Sequence, residues 1–540
     1  NSSSIFRRFS KLVINISQLI EFRSKRWACM ASVTCLLLFV KCLSSSGLNA
    51  QLRSEDLKGL TIRSIGPGIQ HGSVVSIDFD MELPYNISVA TQQDGFWRGP
   101  VDLWTQGEIT SKHWDRLDLG SGAAVLVDRM NTRFSYLVYA NGGLGLSDRE
   151  IGSVKRIDPW APEGIVLRHA LHPPVLVDRR NFSSLYYGTQ FVHKSTNGGL
   201  SWQIISGDLT RGERIDRSTN ALPITDPKRD GPAITTLAVN PLDTEVIWAG
   251  SQDGNLYVTV SGGGQWENKR SRIRGLPRSS AVSHVYPSST SVGSAFVIFE
   301  NLEDSDARRA YIYKTEDYGN RWDHISEDED ILGPIHVLIQ DVDVSELLFA
   351  GAEDGLYVTL NEGGVWMKWP ETFPSISVRS IAMHPTRHDL LVGTEGRDVF
   401  VLDDLNPLRD LVSNPQIANL DFYLFEPDTA YVHVNPPFSG ALFREHDRSV
   451  GTAKPYGASF YYWFDGADSI SPVNIEVLDF ENKTVRTLKD YPQRGINHFV
   501  WDLREDLPGQ LKEIKDSDRS SLFRGIEVLP GSYKIQIKQG

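Results

Sequence analysis

Apolar residues along this chain gather in short runs rich in Val, Ile, Tyr and Phe, separated by turns of Gly, Asn and Asp. Runs of that length and make-up are strand signals, and no long stretch shows the periodicity of a helix. The runs recur in one order. An apolar run often closes on Asn-Pro or His-Pro; a second run ends in small residues; an acidic-Gly turn leads to a third. The fourth copy reads Ile234 to Val239, Asn240-Pro241, Val246 to Ala249, Gln252-Asp253-Gly254 and Leu256 to Thr259. The sixth spans Ile335 to Thr359, and the seventh Val378 to Leu402. Weaker copies begin near Val74, Ala123, Ile165 and Ala281. Copy starts lie about 40 to 70 residues apart, the period of a four-stranded propeller blade. The pattern therefore predicts an all-β chain: a seven-bladed β-propeller over residues 57–411, with six or eight blades as alternatives because the second copy is weak. Leu60 to Ser64 is placed to add a strand to the last blade, so that no sheet edge stays open.

The rhythm changes after residue 411. Ser459 to Trp463, Val473 to Leu478, Thr484 to Leu488, His498 to Trp501 and Ser532 to Ile537 alternate with period two. An immunoglobulin- or fibronectin-like β-sandwich is expected over residues 419–537. Tyr461, Tyr462 and Trp463 are read as core rather than as a sugar-stacking surface.

A sharper mark sits at the turn between the third and fourth strands, S/T-x-D/N-x-G-x-x-W. It occurs with Ser195, Asn197, Gly199 and Trp202; with Thr315, Asp317, Gly319 and Trp322; and with Thr359, Asn361, Gly363 and Trp366. A degenerate copy keeps Thr259, Gly263 and Trp266 but has Ser261 in place of the carboxylate or amide. This is the Asp-box, or BNR repeat, and its chemistry is structural. The Asp or Asn bonds turn amides, Gly supplies a left-handed backbone, and Trp wedges between blades.

Connections in a meander alternate between the two ends of the sheet, so the second-to-third strand turns lie on the face opposite the boxes, beside the channel. They read Gln93-Asp94-Gly95, Gln252-Asp253-Gly254, Glu353-Asp354-Gly355 and Glu395-Gly396-Arg397. Asp-Gly suits tight hairpins whatever the function. Together, however, these turns form a ring of carboxylates able to serve acid/base roles or hold a cation. Candidate catalytic residues are Asp253, Glu353, Asp354 and Glu395. Candidate ligand-binding residues add His71, Asp94 and Arg397.

Composition narrows the choice. The chain has 55 basic and 68 acidic residues among 540, and its first fifty residues hold seven of the basic ones against one acid, so that residues 51–540 carry 48 basic against 67 acidic, a net −19. So acidic a surface argues against nucleic acid. Arg23, Lys25 and Arg26 precede an apolar stretch from Trp27 to Val40, with a plausible cleavage after Ala50. Residues 1–50 are thus expected to be an upstream segment and signal peptide directing secretion, with a single membrane anchor as the alternative. Cys29, Cys35 and Cys42 all lie there, which leaves the rest without disulfide or thiolate chemistry. Scattered histidines suggest no metal site, and no cofactor is called for.

Further residues resemble a known family. Ile62 to Pro67, Ser206 to Thr210, Tyr313 to Gly319, Gly393 to Arg397 with Leu402 to Asp404, and Gly495 to Leu503 are similar to large secreted BNR-repeat proteins described as sortilin-like. These often bear a glycosyl-hydrolase label. The resemblance implies a propeller of the sortilin, sialidase and xyloglucanase type followed by a sandwich. The expected function is a secreted or cell-surface binding or scaffold module that takes a peptide, protein or carbohydrate on its channel face, with a glycoside hydrolase using paired carboxylates as the alternative. A peptidase or other hydrolase with a separate catalytic domain is a third alternative, but no G-x-S-x-G or H-E-x-x-H motif occurs in these residues.

Overall fold

The computed structural model describes residues 52–66, 72–81, 85–103, 108–178, 180–181, 183–210, 231–301, 310–326, 331, 333–396, 398–432, 451–466, 472–506 and 525–539. Among them the chain is all-β. Seven four-stranded antiparallel sheets cover residues 74–118, 122–156, 175–204, 234–268, 280–324, 335–368 and 378–402. They are numbered sheets 1 to 7 here. Sheet 7 takes its outer strand from the other end of the chain: Ile62–Gly66 runs antiparallel to Val399–Leu402, with Ile62 opposite Leu402 and Ser64 opposite Phe400.

First strands of successive sheets pack on one another through the whole series, and Val378–Met383 of sheet 7 packs back on Val74–Phe79 of sheet 1. Second strands lie between neighbouring sheets. Ile247–Ser251, Leu348–Ala352 and Leu390–Thr394 are buried at every position, which is why they read as unbroken runs of apolar and small residues rather than alternating ones. Each first strand ends on a side chain that accepts backbone amides. Asp80 does so for Asn86, Asp128 for Met130, Asp178 for Arg180, Asn240 for Leu242, Ser288 for Thr290, Asp341 for Asp343 and His384 for Arg387. The Asn-Pro and His-Pro marks are two forms of this turn-capping position.

Two features depart from the pattern. The third copy, expected from Ile165, begins at Val175. Ile165 and Val166 stay outside any strand and exposed, ahead of Pro173 and Pro174, which have no amide to pair. A helix at Asn406–Ser413 was not expected; its eight residues, with Pro407 in the first turn, are too few to show a period.

Beyond it, Phe422–Leu424, Ala458–Phe464 and Gly495–Trp501 form one three-stranded sheet, and Val473–Leu478, Thr484–Asp490 and Lys534–Gln539 another. Their facing residues share one core, with Phe460, Tyr462, Phe464 and Trp501 against Val473, Ile475 and Val477. Tyr462 and Trp463 are wholly buried. This module touches the ring of sheets directly. Gly451–Thr452 pairs with Glu108–Ile109, and Asp56, in the turn before the closing strand, is ion-paired to Arg494 at 3.4 Å.

Candidate functional site

The Trp-tipped turns are braces between sheets. In sheet 3 the Ser195 hydroxyl accepts the Gly199 amide at 2.9 Å, Asn197 accepts the Ser201 amide at 2.9 Å, and Trp202 Nε1 donates to the Ile157 carbonyl of sheet 2's trailing segment at 2.8 Å. Trp266 donates likewise to Ile205 at 2.9 Å, and Trp366 to Ile325 at 2.8 Å. In sheet 6 the Thr359 hydroxyl accepts the Gly363 amide at 3.1 Å and Asn361 accepts that of Val365 at 2.9 Å. In the degenerate turn Thr259 accepts the Gly263 amide, and Ser261 takes the missing acid's place by accepting the Gln265 amide at 3.1 Å. Sheet 5 differs. Asp317 and Thr315 cap the turn, with the Gly319 amide on Thr315, but Trp322 donates to Gly319 itself and packs edge-on against Trp248. Lys269 occupies the site that Ile157, Ile205 and Ile325 fill elsewhere.

The opposite ends of the sheets carry the polar chemistry. Six first strands hold an extra residue at one shared position, where the register against the second strand slips: Val75, Ala123, Thr235, Ser283, His336 and Arg379. A bulge frees its side chain from the strand's alternation and re-aims it. In sheets 6 and 7 it sets His336 and Arg379 beside the first residue of the neighbouring turn, Glu353 and Glu395.

His336 Nε2 lies 2.8 Å from Glu353, and Arg379 NH1 lies 3.2 Å from His336 Nδ1. A guanidinium only donates, so Nδ1 accepts, and the imidazole proton sits on Nε2, pointed at Glu353. Arg379 also gives Nε and NH2 to Glu395 at 2.9 and 2.5 Å, with NH2 3.5 Å from Glu353. Ser377 donates to Glu353 at 3.3 Å, and Glu300 of sheet 5 lies 3.8 Å from His336. Burial pulls the Glu353 carboxyl upward, but the His336 hydrogen bond and the Arg379 charge outweigh it and hold the group below the usual carboxylate range. His172, ahead of sheet 3, belongs to the same field: burial first, then the Arg379 charge, lowers its pKa, and its Nδ1 is buried without a partner. Glu353 and Glu395 remain about half exposed, at 51% and 47%.

The expected carboxylates divide by turn position. Glu353 and Glu395, first in their turns, meet through Arg379. The acids one place on meet other partners. Asp354 takes Lys368 at 2.5 Å and the Tyr357 hydroxyl; Asp94 is ion-paired to Arg116; Asp253 takes Ser251 at 2.5 Å and Asn255 at 3.0 Å. His71 and Arg397 lie outside the described residues. His172, Glu300, His336 and Arg379 were not anticipated. A one-residue offset between paired strands was the only trace of the two bulges, and it is invisible without the partner strand.

No family profile and no curated protein matches the chain. Solved structures do. A GH74 enzyme from Niastella koreensis is similar at 18% identity and a TM-score of 0.43, covering 64% of this chain and 54% of that one. The GH74 xyloglucanase from Xanthomonas campestris is similar at 17% and 0.44, over 63% and 53%. YCF48 from Cyanidioschyzon merolae is similar at 13% and 0.44, over 64% and 98%. The chain thus spans about half the length of the two GH74 proteins.

Proposed function

We propose that the seven sheets are the blades of a closed β-propeller over residues 57–411 carrying Asp-box turns, that residues 419–537 form a β-sandwich packed on it, and that the exported protein acts as a binding module. The ligand, a peptide or carbohydrate, would sit where the second-to-third strand turns surround the channel. The cycle of first strands and the closing strand Ile62–Gly66 support the propeller. One observation carries the functional reading: the Glu353–His336–Arg379–Glu395 network spans two sheets, is half open to solvent and has more carboxylate than guanidinium. It can accept hydrogen bonds from sugar hydroxyls or from a basic side chain.

A glycosidase is the second reading, because both carboxylates contact the same NH2 atom and so lie within about 6 Å of each other, near the roughly 5–5.5 Å of a retaining pair. The protonation balance weighs against it. A general acid needs a raised carboxyl pKa, and Glu353 is lowered. Glycan and peptide arrays, followed by titration of the best ligand, test the reading. Saturable binding that weakens at least about tenfold in Arg379→Ala and Glu353→Gln is expected, and unchanged binding in both variants would refute it.

A further inference from the structure

A second polar recess lies away from the channel cluster. The closing strand brings Arg63, the end of sheet 7 brings Asp403, and the C-terminal module brings Lys454, Ser459, Tyr461 and His498. With Thr61 and Thr452 they line a cavity of about 310 Å³, at the lower end of the 300–1,000 Å³ usual for small-molecule sites.

Much of its wall is already satisfied. Arg63 gives Nε and NH2 to the two Asp403 oxygens at 2.7 and 2.9 Å, and NH1 to the Val101 and Thr452 carbonyls at 2.8 and 2.9 Å. Asp102 behind it accepts the Leu103 and Lys454 amides at 2.9 and 3.0 Å. Tyr461 donates to the Asp403 carbonyl at 3.2 Å and stacks on His498, ring centres 4.7 Å apart. These groups fix the cavity's shape without needing anything in it.

Several polar groups are left over. Lys454 makes no side-chain hydrogen bond or ion pair among the described residues; its charge reaches Asp389, Asp403 and Asp404 only through space. His498 Nε2 is buried with no partner. Burial outweighs the pull of Asp403 and lowers the His498 pKa, so the ring is neutral at pH 7. The Ser459 and Thr61 hydroxyls also have no partner among the described residues. The leftover set is one cation, one neutral imidazole and the hydroxyls of Thr61, Thr452 and Ser459. Asp403, the one carboxylate lining the cavity among the described residues, is already neutralised by Arg63.

We propose that this cleft binds a small hydroxycarboxylate of monosaccharide size, a sugar acid, with its carboxylate on Lys454 and its hydroxyls on Ser459 and Thr61. The bound molecule touches both the strand that closes the ring and the module beside it, so binding also staples the two together.

Calorimetric titration of the full chain with D-glucuronate, with D-glucose as the uncharged comparator, tests this, alongside thermal unfolding with each sugar. D-glucuronate is expected to bind saturably and raise the melting temperature, with D-glucose at least roughly tenfold weaker. Lys454→Met should lose D-glucuronate at least roughly tenfold and Lys454→Arg should retain it. Ser459→Ala gives an independent loss should Lys454→Met not fold. Equal binding of the two sugars, no saturation by D-glucuronate, or unaltered affinity in both Lys454→Met and Ser459→Ala would overturn the proposal.

Discussion

Asp389 lies almost wholly inside the protein and accepts the Tyr85 hydroxyl at 2.8 Å. Burial first, and then the negative charge of Asp403, push its carboxyl from 3.8 up to about 6. Asp403 moves the other way: burial would raise it, but the Arg63 charge and hydrogen bonds hold it low. A carboxyl raised on folding binds its proton more tightly in the native state. Its stabilising contribution is therefore complete below the unfolded pKa and is lost as pH rises through the folded one. Between pH 4 and 6, wild-type stability should fall relative to Asp389→Asn, by on the order of 2 kcal/mol across the window. Urea unfolding of both proteins at several pH values in that range measures the difference. Arg409 presents a second case. It grips the fully buried Asp341 through Nε and NH2, both at 2.9 Å, and reaches Asp343 at 3.0 Å. Arg409→Met should cost about 3–5 kcal/mol, since the Asp341 charge stays buried without its partner. An Arg409→Met/Asp341→Leu double variant should recover much of that in equilibrium unfolding.

Among the elements, the Trp-tipped turns and the bulges do different work. Gly363 has φ +92°, and a Cβ there would sit 2.8 Å from Ile325 Cδ1. Gly363→Ala should destabilise by more than about 1 kcal/mol. Trp366→Phe keeps most of the ring but loses the bond to the Ile325 carbonyl, and should cost about 1–3 kcal/mol. Thermal or denaturant unfolding reads both. These turns were legible in the sequence because all their chemistry is local: hydroxyl, amide acceptor, glycine and tryptophan fall within eight residues. The strands were legible too, since Val473–Leu478 alternates buried and half-buried positions throughout. The site was only half legible. Acidic-Gly turns mark hairpins, but what a carboxylate meets depends on its place in the turn, so Glu353 and Glu395 meet Arg379 while Asp94 and Asp354 pair with fourth-strand cations and Asp253 with its own turn. His336 and Arg379 look like ordinary strand positions until the register slip is seen. Arg63 and Asp403 are 340 residues apart, and only closure of the ring brings them together.

At the scale of the molecule, closure by Ile62–Gly66 joins the two ends of the sheet series. All three cysteines precede residue 51, so a chain begun there carries no thiol. A Ser64→Cys/Phe400→Cys pair would then be its only thiols, set on directly opposed positions. Its disulfide should raise stability by about 2–4 kcal/mol, an effect abolished by reductant in a thermal melt. Closure also holds the sheet 6 and sheet 7 turns in one frame, so that Arg379 binds Glu395 and still reaches His336. The most direct test of the binding reading follows one ligand in two ways at once: equilibrium titration, and product analysis of the same mixture after long incubation. The account predicts saturable binding that Arg379→Ala weakens at least about tenfold, with the ligand recovered intact. Cleaved ligand from the wild type, with cleavage lost in Glu353→Gln or Glu395→Gln, would contradict it.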